Sequence, residues 1–166
     1  MLVKVFPIGI VGLGDRGLPM AQALAGVRLV LAYDESPAAR ERASAQGVPV
    51  AGSLADLAQV CRTVVLALPG DAVERVVLEI ATKSPGRLVL DTSAQDADDT
   101  RRIGALALAQ GTTYLDTPVA GDVREVGDWT VRMGGPAAAY VVVADVFAPV
   151  ASEVVHVGEL GSASQR

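Results

Sequence analysis

The sequence predicts an α/β protein with a doubly wound, mainly parallel β-sheet and helices on both faces of the sheet. Short apolar runs alternate with helix-length segments along the whole chain, which is the element order that such a sheet requires. Several runs are continuous stretches of Val, Ile and Leu, a pattern typical of parallel strands covered on both sides. The first run ends in three glycines spaced G-x-G-x-x-G, and a helical pattern follows them.

The predicted elements can be placed in chain order. Strands are expected at residues 5–11, 28–33, 63–68, 88–90, 113–115, 129–133 and 154–157. Helices are expected at residues 17–24, 37–46, 54–59, 72–82, 97–110 and 136–147. Ser36 is predicted as an N-cap before a proline at the first helical position, and Gly47 and Gly111 stand where helices should end. Residues 158–166 are small and polar, with no predicted element.

Length and composition limit the classes of protein that this chain can belong to. A chain of 166 residues, 51% of them hydrophobic and 20% charged, is expected to form a single globular domain over residues 1–166. The net charge is −5 and no block of Lys and Arg occurs, which argues against nucleic acid or an anionic membrane as a main partner.

Residues that often carry chemistry are scarce in this sequence. Cys61 is the single cysteine and His156 the single histidine, so no internal disulfide forms and no metal site is predicted. Cys61 is predicted to be a buried thiol, His156 a half-buried strand residue, and Trp129 part of the core. The N-terminus lacks the features of a secretion signal and no apolar run is long enough to span a bilayer, so we expect a cytoplasmic location.

The glycine motif predicts a dinucleotide site. Gly12, Gly14 and Gly17 suit a tight strand-to-helix turn, whose backbone N–H groups and helix N-terminus receive a pyrophosphate. Asp34 follows at the end of the next apolar run, where a carboxylate accepts hydrogen bonds from the ribose diol and repels a 2′-phosphate. Glu35 adds a second negative charge, so NAD is favoured over NADP. The alternative is that both acids are turn and helix-start residues.

Three further segments end strands on the same side of the predicted sheet. Pro69 and Gly70, after Leu68, let the backbone approach a cofactor, while Asp71 is expected to cap the following helix. Ser93 either reaches the nicotinamide end of the ligand or satisfies a turn with its hydroxyl, and the sequence leaves both open. In the segment 116–122, Gly121 permits close approach by a ligand.

Together these motifs resemble the β-hydroxyacid dehydrogenase family, which includes 3-hydroxyisobutyrate and 6-phosphogluconate dehydrogenases. Residues 12–21, GLGDRGLPMA, are similar to the opening G-L-G-x-M-G-x-x-M-A of that family. Residues 91–93, DTS, are similar to its D-x-S-T, and residues 116–121, DTPVAG, to its D-A-P-V-S-G. Gly134-Gly135 and residues 158–161 are similar to its late glycine elements.

The resemblance implies a Rossmann-type domain that binds NAD(P) for hydride transfer between nicotinamide and a small hydroxy or semialdehyde acid. The cofactor-binding residues that it implies, together with the motifs above, are Gly12, Leu13, Gly14, Asp15, Arg16, Gly17, Asp34, Leu68, Pro69, Gly70 and Ser93. The implied substrate-binding residues are Ser93, Ala120, Gly121 and Asp122.

Departures from the family pattern limit what the resemblance implies. Ala120 stands where the family has a serine that helps to hold the acid end of the substrate, and Asp122 would meet an anionic substrate with a like charge. Arg16 replaces a methionine in the glycine turn and either faces the pyrophosphate or is a solvated helix residue. The family's catalytic lysine and all-helical C-terminal domain would lie past Arg166, so no catalytic residue is predicted and little turnover is expected from this chain alone.

Three hypotheses follow from the sequence. The first is the NAD(P)-binding domain of an oxidoreductase acting on a small acidic metabolite. The second is a non-catalytic nucleotide-binding or sensing module with a degenerate substrate site, and the third is an interaction domain with a vestigial site. An apolar patch beside the crevice, of the kind that a helical domain would cover, predicts self-association as a homodimer.

Overall fold

The computed structural model describes residues 5 to 164 of the chain. The strands are β1 (Ile8–Val11), β2 (Val30–Tyr33), β3 (Thr63–Leu66), β4 (Leu88–Asp91), β5 (Thr113–Asp116), β6 (Val119–Ala120), β7 (Trp129–Gly134) and β8 (Ala151–Gly158). The helices are α1 (Gly17–Ala25), α2 (Pro37–Ala45), α3 (Leu54–Val60), α4 (Gly70–Lys83), α5 (Ala97–Ala109) and α6 (Tyr140–Phe147), and a short 3-10 turn, Ala137–Ala139, precedes α6.

The sheet confirms the predicted fold class. Strands β2, β1, β3, β4 and β5 lie side by side in that order and are all parallel. The chain direction across the sheet reverses between β1 and β3, and ligands of doubly wound sheets bind at such a switch point, beyond the carboxyl ends of the strands. The glycine motif follows β1 and therefore lies at this point.

The second half of the sheet differs from the prediction. The two-residue strand β6 was not predicted, and β7 pairs antiparallel with both β5 and β6. Strand β8 pairs in parallel with β7 and begins at Ala151, three residues before the predicted start. Ser152 and Glu153 are exposed at this end of β8, so the apolar pattern used to predict strands could not detect it.

Smaller boundary differences have local causes. Strand β1 begins at Ile8 and not at Val5, and Pro7 immediately before it has no backbone N–H for the ladder. Helix α4 begins at Gly70 with Pro69 as its N-cap, so Asp71 lies in the first turn and does not cap the helix as predicted. Ser36 caps α2 by accepting from the N–H of Ala39, which confirms the prediction.

Two apolar clusters cover the two faces of the sheet. One contains Ile8, Ile10, Val65, Leu90, Leu115 and Trp129 with residues of α1, α2 and α6. The other contains Val11, Val64, Leu66, Val89 and Tyr114 with residues of α3, α4 and α5. Alternate residues of each strand thus face opposite layers. Within residues 5 to 164, none of the helices has the length and hydrophobicity needed to cross a membrane.

Candidate functional site

The glycine turn between β1 and α1 leaves space on its outer side. Gly12 has φ +103°, and a Cβ there would overlap the carbonyl oxygen of Ala67 on the neighbouring strand end. A Cβ on Gly17 would overlap the carbonyl oxygen of Gly12. A Cβ on Gly14 would meet nothing within 4 Å. The first and third glycines are therefore required by packing, whereas the second faces open space that a ligand can fill.

The helices that begin at the switch point have no side-chain caps. Helices α2, α3 and α5 are capped by Ser36, Ser53 and Asp96, each accepting from a backbone N–H at the helix start. Helices α1 and α4, which follow β1 and β3, receive no side-chain cap from the described residues, and neither does α6, which follows β7. The first N–H groups and positive dipole ends of α1 and α4 are directed at the crevice, an arrangement suited to a pyrophosphate.

Asp34 joins the glycine turn to the end of β2. Its Oδ2 accepts from the N–H of Leu13 and its Oδ1 from the N–H of Ser36, both at 2.8 Å. Each carboxylate oxygen keeps a second lone pair that can accept from a ribose hydroxyl. Asp34 lies before the N-cap of α2 and not in its first turn, and its bond to the N–H of Ser36, two residues on, is the turn role that the sequence left open. The Leu13 side chain is fully buried and its N–H is used by Asp34, so this residue shapes the turn and has no N–H to offer a phosphate.

A cleft of about 790 Å³ extends from the glycine turn along the end of β2, and we call it the β2 cleft. Of the predicted cofactor residues, it is lined by Gly12, Gly14, Asp34, Leu68 and Pro69. Gly70 does not line it, because its backbone faces Ala94 and its carbonyl oxygen accepts from Gln95 Nε2 at 2.8 Å.

An ion pair stands at the mouth of the β2 cleft. Arg75 of α4 donates to Glu35 at 3.1 Å, and both side chains are mostly exposed. No local sequence pattern predicts this partner of Glu35, because Arg75 is 40 residues away in the chain. Arg75 thus places a positive charge beside Glu35, whereas Asp34 has no ion-pair partner among the described residues.

Arg16 connects the glycine turn to the loop after β5. Its Nη2 donates to the carbonyl oxygen of Val119 at 2.7 Å, across 103 residues of sequence. The two segments border a second cleft of about 1030 Å³, the loop cleft, which is lined by Leu13, Gly14, Asp15, Arg16, Gly121, Asp122, Arg124 and neighbouring residues. Arg16 is therefore a bridge between two loops and not merely a solvated helix residue.

Gly121 and Asp122 serve the loop itself. Gly121 has φ +98°, and a Cβ there would overlap the carbonyl oxygen of Asp128, so the close approach at this glycine is made by the protein's own chain. Asp122 Oδ1 accepts from the backbone N–H of Arg124 at 2.9 Å and from its Nε at 3.1 Å. These two hydrogen bonds, with the charges of Arg124 and Arg16, hold the pKa of Asp122 below its ordinary value.

Ser93 and Ala120 line a third, smaller cavity of about 280 Å³, which we call the Ser93 pocket. Ser93 Oγ accepts from the N–H of Leu68 at 2.8 Å, so the hydroxyl satisfies a turn while remaining at the pocket wall. The other lining residues are Ala94, Gln95, Pro118, Val119, Thr130, Arg132, Ala163 and Ser164. Asp122 is not among them. The expected repulsion between Asp122 and an anion in the substrate position is therefore not supported by the geometry.

Two buried carboxyl groups lie behind the Ser93 pocket, at the ends of β4 and β5. Asp91 accepts from the hydroxyl of Tyr114 and from the N–H of Ser93. Burial is the main cause that raises the pKa of Asp91 to about 6; the hydrogen bonds oppose the shift and the charge of Asp116 adds to it. Burial and the charge of Asp91 raise the pKa of Tyr114 as well.

The second of these carboxyl groups, Asp116, holds the segment after β8. It accepts from the N–H of Gly161 at 3.0 Å and from the N–H and hydroxyl of Ser164 at 2.9 and 3.0 Å. The segment 158–164 thereby forms one wall of the Ser93 pocket. Asp116 opens the motif of residues 116–121, but its bonds to Gly161 and Ser164 could not be predicted from that motif.

Other predicted residues take structural positions. Cys61 is fully buried, and burial raises the pKa of its thiol to about 11, which makes it unreactive. Trp129 is fully buried, and His156 is a partly buried strand residue whose Nε2–H donates to Gly135 O at 2.7 Å. These predictions are confirmed. Over residues 5 to 164, no three His, Cys, Asp or Glu side chains are grouped as metal ligands would be.

Comparisons with known proteins agree with this geometry. A family model described as the NAD binding domain of 6-phosphogluconate dehydrogenase matches residues 7–158. The chain is 34% identical to L-threonate dehydrogenase of Cupriavidus necator, over 96% of this chain and 56% of that protein. It is 28% identical to mitochondrial 3-hydroxyisobutyrate dehydrogenase of Rattus norvegicus, over 94% of this chain and 49% of that protein.

A solved structure shows the same fold. The 3-hydroxyisobutyrate dehydrogenase of Mycobacterium tuberculosis, studied with L-serine, superposes with a TM-score of 0.89 at 29% identity, covering 97% of this chain and 57% of the other. The chain spans about half the length of the curated relatives it matches.

Proposed function

Because this chain belongs to the family of NAD-binding domains of 6-phosphogluconate dehydrogenase, we propose that it binds NAD in preference to NADP and presents it for hydride transfer. The resemblance drawn from the sequence motifs is thereby confirmed. The reaction that we propose interconverts a small hydroxy acid and its carbonyl form. The nicotinamide supplies or accepts the hydride when the dinucleotide is bound.

One observation carries the proposal of dinucleotide binding. A Cβ on Gly14 would meet nothing within 4 Å, Gly14 lines the β2 cleft together with Pro69 and Asp71 at the start of α4, and no side chain of the described residues caps α1 or α4. A diphosphate placed there meets backbone donors and two positive dipole ends. The residues present therefore fit the group that the family implies.

The preference for NAD is supported by the charges at the β2 cleft. Asp34 has lone pairs for the two ribose hydroxyls and would repel a 2′-phosphate. Among the residues that line this cleft the one arginine is Arg75, and its guanidinium is engaged by Glu35; Arg40, nearby at the start of α2, donates to the carbonyl oxygen of Asp34 at 2.7 Å. A 2′-phosphate would have to compete with Glu35 for Arg75.

The proposed substrate class, a small acidic metabolite, is supported by two relatives whose names denote dehydrogenases of L-threonate and 3-hydroxyisobutyrate. Reduction of a carbonyl also needs a proton for the developing alkoxide. Neither Lys nor His lines the Ser93 pocket within residues 5 to 164. We therefore expect cofactor binding by this chain with little turnover by itself.

The second candidate is a nucleotide-binding or sensing module that performs no chemistry. Ala120 favours it, because this residue offers a methyl group at the wall of the Ser93 pocket where a substrate site would use a polar side chain. Both candidates require dinucleotide binding, and they differ only in whether an acid also binds. The cytoplasmic location, the single-domain organisation and the homodimer stay predictions.

Calorimetric titration with NADH and NADPH tests the proposed function. We expect saturable binding of NADH, weaker binding of NADPH, and loss of both in Gly14→Val, whose side chain would fill the open space. Gly26→Val, at the other end of α1, is the matched control and should bind like the wild type. Absence of NADH binding by the well-folded wild type would contradict the proposal and favour the interaction-domain hypothesis.

The charge balance at Glu35 gives the cofactor preference its own test. In Glu35→Gln the Arg75 guanidinium is released, and we expect the ratio of NADPH to NADH affinity to rise by about threefold to tenfold at low salt. Glu41→Gln, on the exposed side of α2, should leave the ratio unchanged. An unchanged ratio in Glu35→Gln would show that Arg75 does not reach the 2′ position.

A further inference from the structure

Strand β7 places one arginine on the wall of the Ser93 pocket. Trp129, Val131 and Met133 point into the core on one side of β7, so Thr130 and Arg132 face the other side, where both line the pocket. Arg132 is exposed, and within residues 5 to 164 its guanidinium has no hydrogen-bond or ion-pair partner. A strand reading W-T-V-R-M could have drawn attention to it, because its charge interrupts an otherwise apolar run.

The charges around Arg132 leave it free to bind an anion. No Asp or Glu lines the Ser93 pocket. The two carboxyl groups behind the pocket, Asp91 and Asp116, are almost fully buried and engaged by other donors. Glu153 stands opposite Thr130 on β8 and is exposed, without an ion pair to Arg132.

The Ser93 hydroxyl lies at the pocket wall beside Arg132. Its Oγ accepts from the N–H of Leu68 at 2.8 Å and the side chain also hydrogen-bonds the buried Asp91 carboxyl, so this hydroxyl is engaged by the protein itself. The wall opposite is supplied by Ala163 and Ser164, which the Asp116 carboxylate holds in place. With a volume of about 280 Å³, the pocket is smaller than the β2 cleft and the loop cleft and has room for a small organic acid.

We propose that Arg132 binds the carboxylate of a small hydroxy acid in the Ser93 pocket and thereby determines which substrates this chain accepts. The guanidinium offers a planar pair of donors that matches a carboxylate in bidentate fashion, and the pocket supplies no other charge. Ala120 contributes only a methyl group beside it, so the arginine is the principal anchor. The identity of this site as a substrate pocket rests on the proposed function, whereas anion binding by Arg132 does not require the cofactor.

Nuclear magnetic resonance of the ¹⁵N-labelled chain tests the assignment, first without and then with saturating NADH. The probe is 3-hydroxypropionate, and 1,3-propanediol is its matched neutral control. We expect 3-hydroxypropionate to shift the amide signals of Ala120, Thr130 and Ser164 saturably, and the diol to leave them unmoved. In Arg132→Met the apparent dissociation constant should rise at least about tenfold, and Arg132→Lys should retain part of the binding.

Two controls separate this proposal from structural damage and from the proposed function. Arg62→Met removes an exposed arginine before β3, at the opposite end of the sheet, and should bind the probe like the wild type. Arg132→Met should keep its amide spectrum elsewhere and its NADH affinity. A single charged contact is expected to give an affinity of roughly millimolar. The proposal is overturned if 50 mM probe shifts none of the three amides, or if Arg132→Met binds the probe as tightly as the wild type. Failure of NADH binding alone would overturn the proposed function and leave the anion titration interpretable.

Discussion

At the scale of single residues, Asp91 links the chemistry of the crevice to the stability of the protein. Its carboxyl group is 1% exposed, and burial lifts its pKa from the ordinary 3.8 to about 6. The unfolded chain therefore releases this proton at a lower pH than the folded protein does. Between pH 3.8 and about 6 the folded protein binds more protons than the unfolded chain does. The contribution of Asp91 to the free energy of unfolding is therefore present at low pH and is lost as pH rises through about 6.

The upward shift of the Asp91 pKa predicts how the stability of the protein depends on pH. From pH 5 to pH 7.5, we expect the free energy of unfolding to fall by about 1 kcal/mol more in the wild type than in Asp91→Asn, which cannot ionise. Urea unfolding of both proteins at the two pH values measures the difference. Asp145→Asn, at an exposed ion pair, should follow the wild type. A pH dependence unaltered by Asp91→Asn would mean that Asp91 is already ionised at pH 5.

Residue contacts also mark the limit of what the sequence could predict. The position of Asp34 beside the glycine turn could be predicted because it depends on local order: a strand, a glycine turn, and an acid after the next strand. Its ribose-binding role stays a prediction. The Arg75–Glu35 pair, the bond from Arg16 to Val119 and the position of Arg132 join segments far apart in the chain. No local pattern identifies such partners, because they depend on how the elements pack in three dimensions.

At the scale of elements, the prediction was most accurate where apolar periodicity and capping signals agree. Strands β2 and β3 and helix α2 are within a few residues of their predicted bounds, and Ser36 caps α2 as expected. Strands β4 and β5 each extend one residue further than predicted, to a buried aspartate. From the sequence alone, an acid at a strand end is predicted to be exposed to solvent. Here both aspartates are buried because other groups donate hydrogen bonds to them: the Tyr114 hydroxyl to Asp91, and backbone N–H groups of residues 161–164 to Asp116.

The attachment of the segment 158–164 can be tested through Asp116. In Asp116→Asn one carboxylate oxygen becomes an amide nitrogen that cannot accept, so at least one of three hydrogen bonds is lost. We expect a loss of about 1–3 kcal/mol in the free energy of unfolding. Hydrogen exchange should show faster exchange at Gly161 and Ser164 and unchanged protection in β1 and β3. Equal stability together with unchanged exchange at Gly161 and Ser164 would contradict this role.

At the scale of the whole molecule, helix α6 presents apolar side chains that the described chain does not cover. Tyr140, Val141 and Val142 are 36%, 74% and 41% exposed and are consecutive in the first turn of the helix. The self-association predicted from the sequence was assigned to a patch beside the crevice, and these α6 residues line none of the three clefts described above. Exposed apolar surface tends to be buried between molecules, so we propose this face of α6 as the place where self-association would occur.

Sedimentation equilibrium measures this association directly. We expect a dimer for the wild type and a rise of at least about tenfold in the dimer dissociation constant for Val141→Glu, which places a charge in the apolar face. Val27→Glu, at a valine that is 51% exposed in the turn between α1 and β2, is the matched control. A wild type that remains monomeric at high concentration would refute the prediction.

The bond from Arg16 to Val119 has a consequence for how the two ends of the crevice communicate. Only one guanidinium nitrogen is used in this bond, so the others remain able to bind a phosphate oxygen at the glycine turn. A ligand held there would restrain the loop that begins at Val119, and that loop borders the Ser93 pocket. By thermodynamic reciprocity, an acid that restrains the loop must strengthen binding at the turn by the same factor. Occupancy at one end of the crevice would thus favour occupancy at the other, and the cofactor and the acid would act as mutual effectors.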